Sequence, residues 1–530
     1  MEERLGLCAG ETLLKAHFHR LQYAILLLLL ILLLPFYYRA WSAPGFGLSH
    51  DDGIYLATAK ALATGQGYTI ISLPNEIRQT KYPILFPFLL SLVWRIDPSF
   101  PQNLGLLKLI PLLATAAWTL AVYRLARELS AGRVWALWLA ICVMANAWVI
   151  SYSGLLRPEN LFGALVTWAV VFLLRAEHAG QLRPALWAAL LVAAAYYTRT
   201  AAVAVIAGGF LGLLLTRRFR LAFVFGIVCA VICLPWVIWQ AQQTPLPPVE
   251  RYYTALCYRQ DNIISHGFTA HERAAIFREN LIQILLAPAS LFGFPASPAG
   301  LGACLLFWGV CAFGVVRVRR RCLQCTLFFS MLIPALWVWI PVRFLFPVIG
   351  LLIIAASAAM RNRVLAGGAL LLFLAANTVS LQSWWTASRR TQLFSIEFKY
   401  YPATWPQIMD VLNWIRGQAS AGDVVISSTD PMVYFYTGLK SIRGFYLDVL
   451  PVYYGLPAHA NSDGEFLRLL DQYHPKYLIR IQPDLYEATF LGPITAKLLE
   501  AGFLREVHVA GAMHVYTVLQ FPPSNFSASE

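Results

Sequence analysis

The sequence predicts a polytopic α-helical membrane protein that ends in an extracytoplasmic α/β domain. Three observations predict it. Of 530 residues, 58% are hydrophobic and only 13% charged, where a soluble protein averages about 25% charged. The charges lie between long apolar runs rather than inside them, and such runs, at about 20 residues, are long enough to cross a bilayer. Residues 383–530 lose these runs and alternate short strand and helix patterns instead.

The first element is LQYAILLLLLILLLPF (21–36), nearly pure hydrocarbon. It starts late, is followed by no A-x-A-like site and precedes many equally apolar runs, so it reads as a span rather than a signal peptide, with 1–20 as a cytoplasmic N-terminus. Further spans are expected near 105–123, 134–152, 160–174, 185–197, 202–215, 221–239, 300–316, 325–340, 344–360 and 364–382, about eleven in all. Those at 185–197 and 202–215 are short enough to be tilted or re-entrant. The transmembrane domain is therefore 21–382, with long outer segments at about 39–104 and 240–299.

Net charge is +14, from 41 Lys and Arg against 27 Asp and Glu. The basic clusters TRRFR (216–220), RVRRR (317–321) and RNR (361–363) each sit between two apolar spans. That pattern marks short cytoplasmic loops. With the N-terminus inside, Arg124, Arg127, Arg133, Arg175 and Arg183 fall on the same face, and an odd number of spans leaves the C-terminus outside. Basic residues placed this way, without a basic-aromatic module, argue against a nucleic-acid partner. Of the nine cysteines, Cys322 and Cys325 form a lone CxxC with no second pair, a weak zinc signal.

In the C-terminal domain, GDVVISS (422–428) and KYLIRI (476–481) read as buried strands. GEFLRLLDQY (464–473) reads as an amphipathic helix, and REVHVAGAMHVYTVLQF (505–521) as a hairpin turned at glycine. Asp430-Pro431 reads as a turn or helix start. The tail PPSNFSASE is expected to fray, and its sequon at Asn525 is a common chance match.

The chemistry-bearing residues gather at one membrane face. LSHDDGIYLATAKALATGQGYTI (48–70) places Ser49 three residues before Asp52, a capping-box spacing. Ile54, Ala57, Ala61 and Leu62 then form an apolar stripe that ends at Gly65 and Gly67. An amphipathic helix over 50–64, lying in the outer interface, is expected. Carboxylates are favourable at its N-terminus, and two readings stand. Asp51 and Asp52 both cap the helix, or one caps it and the other serves as general base toward a hydroxyl. In TKYPILFPFLL (80–90), Lys81 either snorkels as an anchor or holds a lipid phosphate as a point charge. Arg157 and Glu159 in SGLLRPEN, Arg199 in YYTRT and Arg343 in IPVRFLFP share that face. Positive-inside bias makes outer arginines less expected, and ionisable groups near spans are functional candidates. Carboxylates with several cations suit a reaction that activates a hydroxyl and releases a phosphate-bearing lipid. RYYTALCYRQDN (251–262) suits an interfacial loop. His266, His271 and Glu272 lack the i, i+4 histidine spacing of a helical zinc site.

A first span, the Asp51-Asp52 pair with Tyr55 after it, Gly65-Gln66-Gly67 and then Lys81-Tyr82-Pro83 resemble the GT-C membrane glycosyltransferases. The branch is that of protein O-mannosyltransferases and lipid A aminoarabinose transferases. The likeness covers roughly 20–380 in topology and is most specific in 48–91, 155–163 and 196–200. It implies a polyprenyl-phosphate-linked sugar donor, a lipid, glycan or protein acceptor, and inverting transfer on the periplasmic side of a bacterial inner membrane. It also implies Asp51 as the catalytic acid with Asp52 and Glu159 supporting. Lys81, Arg199 and Arg343 would bind the donor phosphate, and Tyr55, Tyr82 and Arg157 would contact substrate. The chemistry requires no cofactor and leaves a divalent metal open. Two departures from the pattern are Thr80, where the aminoarabinose transferases place Glu, and K-Y-P in place of K-P-P. The rival classes are a secondary transporter or lipid flippase, which would carry inverted repeats and polar broken helices at the midplane, and a non-catalytic assembly protein.

Overall fold

The computed structural model describes residues 2–242, 244–257, 263–264, 267–295, 297–360, 363–459, 461–482 and 484–522. His266 and the Asn525 sequon lie outside the described residues, as do residues 258–262. In chain order the helical part contains α1 (Glu2–Ser42), α2 (Asp51–Ala63), α3 (Leu85–Ile96), α4 (Leu104–Glu128), α5 (Arg133–Met144), α6 (Ala147–Ser153), α7 (Glu159–Ala179), α8 (Leu182–Tyr196), α9 (Val203–Leu215), α10 (Phe219–Ala241), α11 (Pro248–Tyr252), α12 (Ala270–Phe292), α13 (Pro298–Val318), α14 (Arg321–Ala335), α15 (Val342–Leu345), α16 (Ile349–Ala359) and α17 (Arg363–Thr391).

By length and composition, eight of the described helices can cross a membrane, and the pair α5–α6, bent by 62°, makes a ninth if it is one span. The expected eleven differ from this in two ways. Three of them fall on the shorter apolar helices Leu182–Tyr196, Thr200–Leu215 and Arg321–Ala335. Conversely, Ala270–Phe292 meets the criterion inside the stretch expected to be an outer loop. Its charged residues, Glu272, Arg273, Arg278 and Glu279, all lie in its first half and dilute the apolar signal. The α5–α6 bend has a local cause: the Asn146 side chain accepts from the backbone N–H groups of Trp148 and Val149, so a new helix starts there.

Polar contacts mark the two ends of the bundle. At one, the Glu177 carboxylate accepts from the N–H groups of Arg321 (2.9 Å) and Cys322 (3.2 Å), capping α14. Arg175 pairs with Glu128, and Arg218 donates to the His178 carbonyl. The basic turns thus gather there, and the candidate site lies at the opposite end of α7.

The C-terminal part is a five-stranded sheet, order β2-β1-β3-β5-β4, from β1 (Val424–Ser427), β2 (Lys440–Ile442), β3 (Tyr477–Ile481), β4 (Leu504–Ala510) and β5 (Met513–Val518). β1 pairs in parallel with β2 and β3, while β5 is antiparallel to β3 and β4. Helices α18 (Trp405–Gln418), α19 (Asp430–Thr437) and α20 (Ser462–Tyr473) connect it. The expected strands, helix and glycine-turned hairpin are all present. β2 adds a strand too short for its pattern to show.

Helix α2 is not laid on a surface with one face free. Ten of the thirteen residues of α2 are buried, Asp51 and Asp52 among them. One apolar core joins Ile54, Tyr55 and Leu56 of α2 to Ile426, Ile442 and Phe445 of the sheet domain. Gly53 permits this, because a Cβ there would lie 2.4 Å from the Pro431 Cβ. The expected amphipathic helix is instead packed on both sides, its second partner being a domain that begins more than 300 residues later.

Candidate active site

The two adjacent aspartates have separate jobs. Asp52 is structural: its Oδ2 accepts from the Gly47 N–H and its Oδ1 from the Gly53 N–H, both at 2.9 Å. Burial pushes its pKa up. The expected capping box is absent, since the N-cap is His50, at φ 60° and ψ −55°, with no side-chain cap bond. The Asp51 N–H instead donates to the Ser49 carbonyl at 2.7 Å. That closes a γ-turn of the rare positive-φ kind on His50.

The turn delivers Asp51 to a cavity of about 890 Å³. Its Oδ1 accepts from the Tyr82 hydroxyl at 2.5 Å, and its Oδ2 meets the Arg343 Nη2 at 2.7 Å. Burial alone would raise its pKa, but the charges of Arg343, Arg157 and Lys81, with the Tyr82 hydroxyl, outweigh it. They hold the carboxyl well below the usual range. Asp51 is therefore a fixed anion.

Arg343 also donates from Nε to Glu159 Oε1 at 2.8 Å, and Arg199 approaches the same oxygen at 2.6 Å. One guanidinium thereby bridges both acids. Arg157, 3% exposed, donates to the Ser49 hydroxyl (3.1 Å) and carbonyl (2.9 Å) and to Glu397 at 2.5 Å. It buttresses the γ-turn, a role different from the expected substrate contact. Lys81 Nζ donates to the Tyr252 carbonyl at 2.9 Å and sits 3.7 Å from the centre of that residue's ring. Tyr55 packs on Tyr82 at 4.7 Å between ring centres and lines the cavity.

The structure thus brings the two aspartates, Glu159, Lys81, Tyr55, Tyr82 and the three arginines into one region, and the cavity is lined by Asp51, Tyr55, Lys81, Tyr82, Arg199 and Arg343. Glu159 and Arg157 stand behind that lining. Unforeseen from sequence were His50, Glu397, Asp430 and Arg443. His50 Nε2 meets Asp430 Oδ1 at 2.8 Å, both side chains buried. Burial and the Arg443 charge lower the histidine pKa, leaving the imidazole neutral. Asp430 does start a helix, α19, as expected, but it also holds His50. His271 and Glu272 sit away from this cluster, on α12, where Glu272 pairs with His459. Among the described residues no three His, Cys, Asp or Glu side chains converge as a metal set.

Comparison with solved structures gives the architecture its context. The chain is similar to ArnT from Cupriavidus metallidurans bound to undecaprenyl phosphate, with TM-score 0.58 and 12% identity over 96% of this chain and 99% of that one. It is also similar to the oligosaccharyltransferase AglB from Archaeoglobus fulgidus in complex with an inhibitory peptide and a dolichol-phosphate, with TM-score 0.55 and 13% identity over 94% and 75%. Residues 81–239 match the family described as dolichyl-phosphate-mannose-protein mannosyltransferase.

The chain shares the fold of these membrane glycosyltransferases.

At such identities the structural likeness speaks to fold. The family match starts at Lys81 and takes in Arg157, Glu159 and Arg199. No curated protein matches the sequence. Asp51 and Glu159 stand at the N-terminal ends of α2 and α7, and residues of the sheet domain share the cavity wall with the helical part.

Proposed function

We propose that this protein is an inverting glycosyltransferase of the GT-C type. It moves a sugar from a polyprenyl-phosphate-linked donor to a hydroxyl acceptor on the extracytoplasmic face of a bacterial inner membrane. The observation that carries the reading is a buried, ionised Asp51 at the wall of a cavity whose other charges are mainly cationic. The rest of the wall includes Trp148, Tyr196, Ile333, Trp337 and Phe344, an apolar surface fit for a lipid. Solved neighbours carrying undecaprenyl phosphate and dolichol-phosphate support the same donor class. Basic turns at the far end of the bundle support an N-terminus inside and a site outside.

In this scheme the acceptor hydroxyl attacks the anomeric carbon as the bond from that carbon to the phosphate oxygen breaks, inverting the centre. A carboxylate held so far below its usual pKa is a weak base. Asp51 therefore orients the hydroxyl and takes its proton late, once the new bond has made that proton acidic. Lys81 stabilises the departing phosphate with a charge-assisted contact. Arg343 and Arg199 are engaged with Asp51 and Glu159, so their first task is to fix the acids, and they add positive field toward the phosphate.

The test is sugar release from synthetic polyprenyl-phosphate sugars by purified wild type and Asp51→Asn, read by mass spectrometry. Wild type should turn over at least one donor, and Asp51→Asn should be slower by about 10²–10⁴-fold. Equal turnover by the variant would remove Asp51 from the mechanism.

A further inference from the structure

Arg443 follows directly on β2 of the sheet domain, yet it lines the cavity with residues of the helical part. It is 7% exposed. Its Nη2 reaches the Ser428 carbonyl only at 3.4 Å, and its Nε and Nη1, both buried, have no hydrogen-bond partner. No ion pair between Arg443 and a carboxylate occurs among the described residues. Asp430, whose charge acts on Arg443, is engaged by His50. A buried guanidinium with most of its donors unmet is unusual in folded proteins, where such groups find a protein, water or ligand acceptor.

A second cation stands close by. The Arg443 guanidinium lies 4.7 Å from the centre of the Tyr252 ring, and Lys81 Nζ lies 3.7 Å from the same centre. Each charge therefore works against the other across that ring. The backbone holds the arrangement in place: the Arg443 N–H donates to the Tyr253 hydroxyl at 3.0 Å. Two cations fixed around one aromatic ring at the wall of the cavity make a site for an anion with several acceptor oxygens.

We propose that Arg443 of the sheet domain and Lys81 of the helical domain form one phosphate site divided between the two domains, and that the phosphate of the polyprenyl donor occupies it. The proposal rests on the donor class argued above and extends it, because it gives the sheet domain a direct part in donor binding. Arg443 supplies hydrogen-bond donors in a planar fork that a phosphate accepts in pairs, while Lys81 supplies a point charge. On transfer, the phosphate oxygen that loses the anomeric carbon keeps the bonding electron pair, and the two cations meet that new charge.

The experiment measures binding of polyprenyl phosphate, of the uncharged polyprenol of equal length and of inorganic phosphate. The proteins are the full-length wild type, Arg443→Gln and Arg443→Lys in lipid nanodiscs. Wild type should prefer the lipid phosphate to the polyprenol. Arg443→Gln should weaken the lipid phosphate by about tenfold or more, leave the polyprenol unchanged and reduce the salt dependence, and Arg443→Lys should recover part of the loss. Equal binding of lipid phosphate by wild type and Arg443→Gln would remove Arg443 from the site. Parallel weakening of phosphate and polyprenol would assign it a purely structural role and overturn the proposal. Inorganic phosphate binding as tightly as the lipid would overturn the lipid assignment. A wild type that does not distinguish lipid phosphate from polyprenol would instead sink the donor class itself.

Discussion

Arg343 is the side chain on which the geometry of both acids depends. Its Nη2 holds Asp51 and its Nε holds Glu159, a task that needs a fork. Arg343→Lys keeps the charge but reaches one acid at a time, so donor turnover should fall about 10²-fold through misplacement of Asp51. Turnover within a few-fold of wild type would show that the bridge is dispensable. At this scale the sequence was legible where ionisable residues interrupt apolar surroundings, which is why Asp51, Lys81, Glu159, Arg199 and Arg343 stood out. Glu397, Asp430 and Arg443 sit in a polar part of the chain where a charge is ordinary. Their partners Arg157 and His50 are 240 and 380 residues away in sequence, and no local pattern records such a contact.

Among the elements, α2 shows how a correct helix can carry a wrong environment. Its stripe of Ile54, Ala57, Ala61 and Leu62 was real, but Gly53, Ala57 and Ala59 are small, and small residues let a helix be covered on both sides. Gly53→Ala should destabilise the docking of the sheet domain by about 1–3 kcal/mol through overpacking on Pro431, visible as a lower Tm and faster proteolysis of that domain. Unchanged values would mean that α19 shifts freely. A second element-level device is Glu487, whose carboxylate accepts from the Ser428 hydroxyl and, at 2.7 Å, from the Ile481 N–H. It ties the ends of β1 and β3 together. Burial pushes its pKa up to about 7, above the ordinary glutamate value of about 4.3. The folded state therefore binds this proton more tightly than the unfolded state. Its contribution favours folding at low pH and declines as pH rises from about 4.3 through about 7. Melting curves of the wild type between those limits should show this slope, and those of Glu487→Gln should show less of it.

For the whole molecule, the division at residue 383 expected from composition describes the chain better than it describes the packing. The sheet domain was legible because its strands and helices alternate. Its burial against residues 46–94 was not, since a core that joins Leu56 to Ile442 and Phe445 leaves no trace in either stretch alone. A chain ending at residue 382 would expose that core and lose Glu397, Asp430 and Arg443. It should therefore aggregate or bind lipid phosphate far more weakly than the full chain, as size-exclusion chromatography and binding would report. A stable, donor-competent truncation would contradict the shared core. The γ-turn at His50 has a bearing on all of this. Because a residue with a Cβ is uncomfortable at φ 60°, the backbone beneath Asp51 acts as a loaded spring, compressed by Arg157 on one side and by the sheet domain on the other. His50→Gly and His50→Ala both lose the Asp430 contact, yet the glycine variant should melt at the higher temperature by the equivalent of about 1 kcal/mol. It should also be the slower of the two in turnover, since a relaxed spring no longer aims the carboxylate.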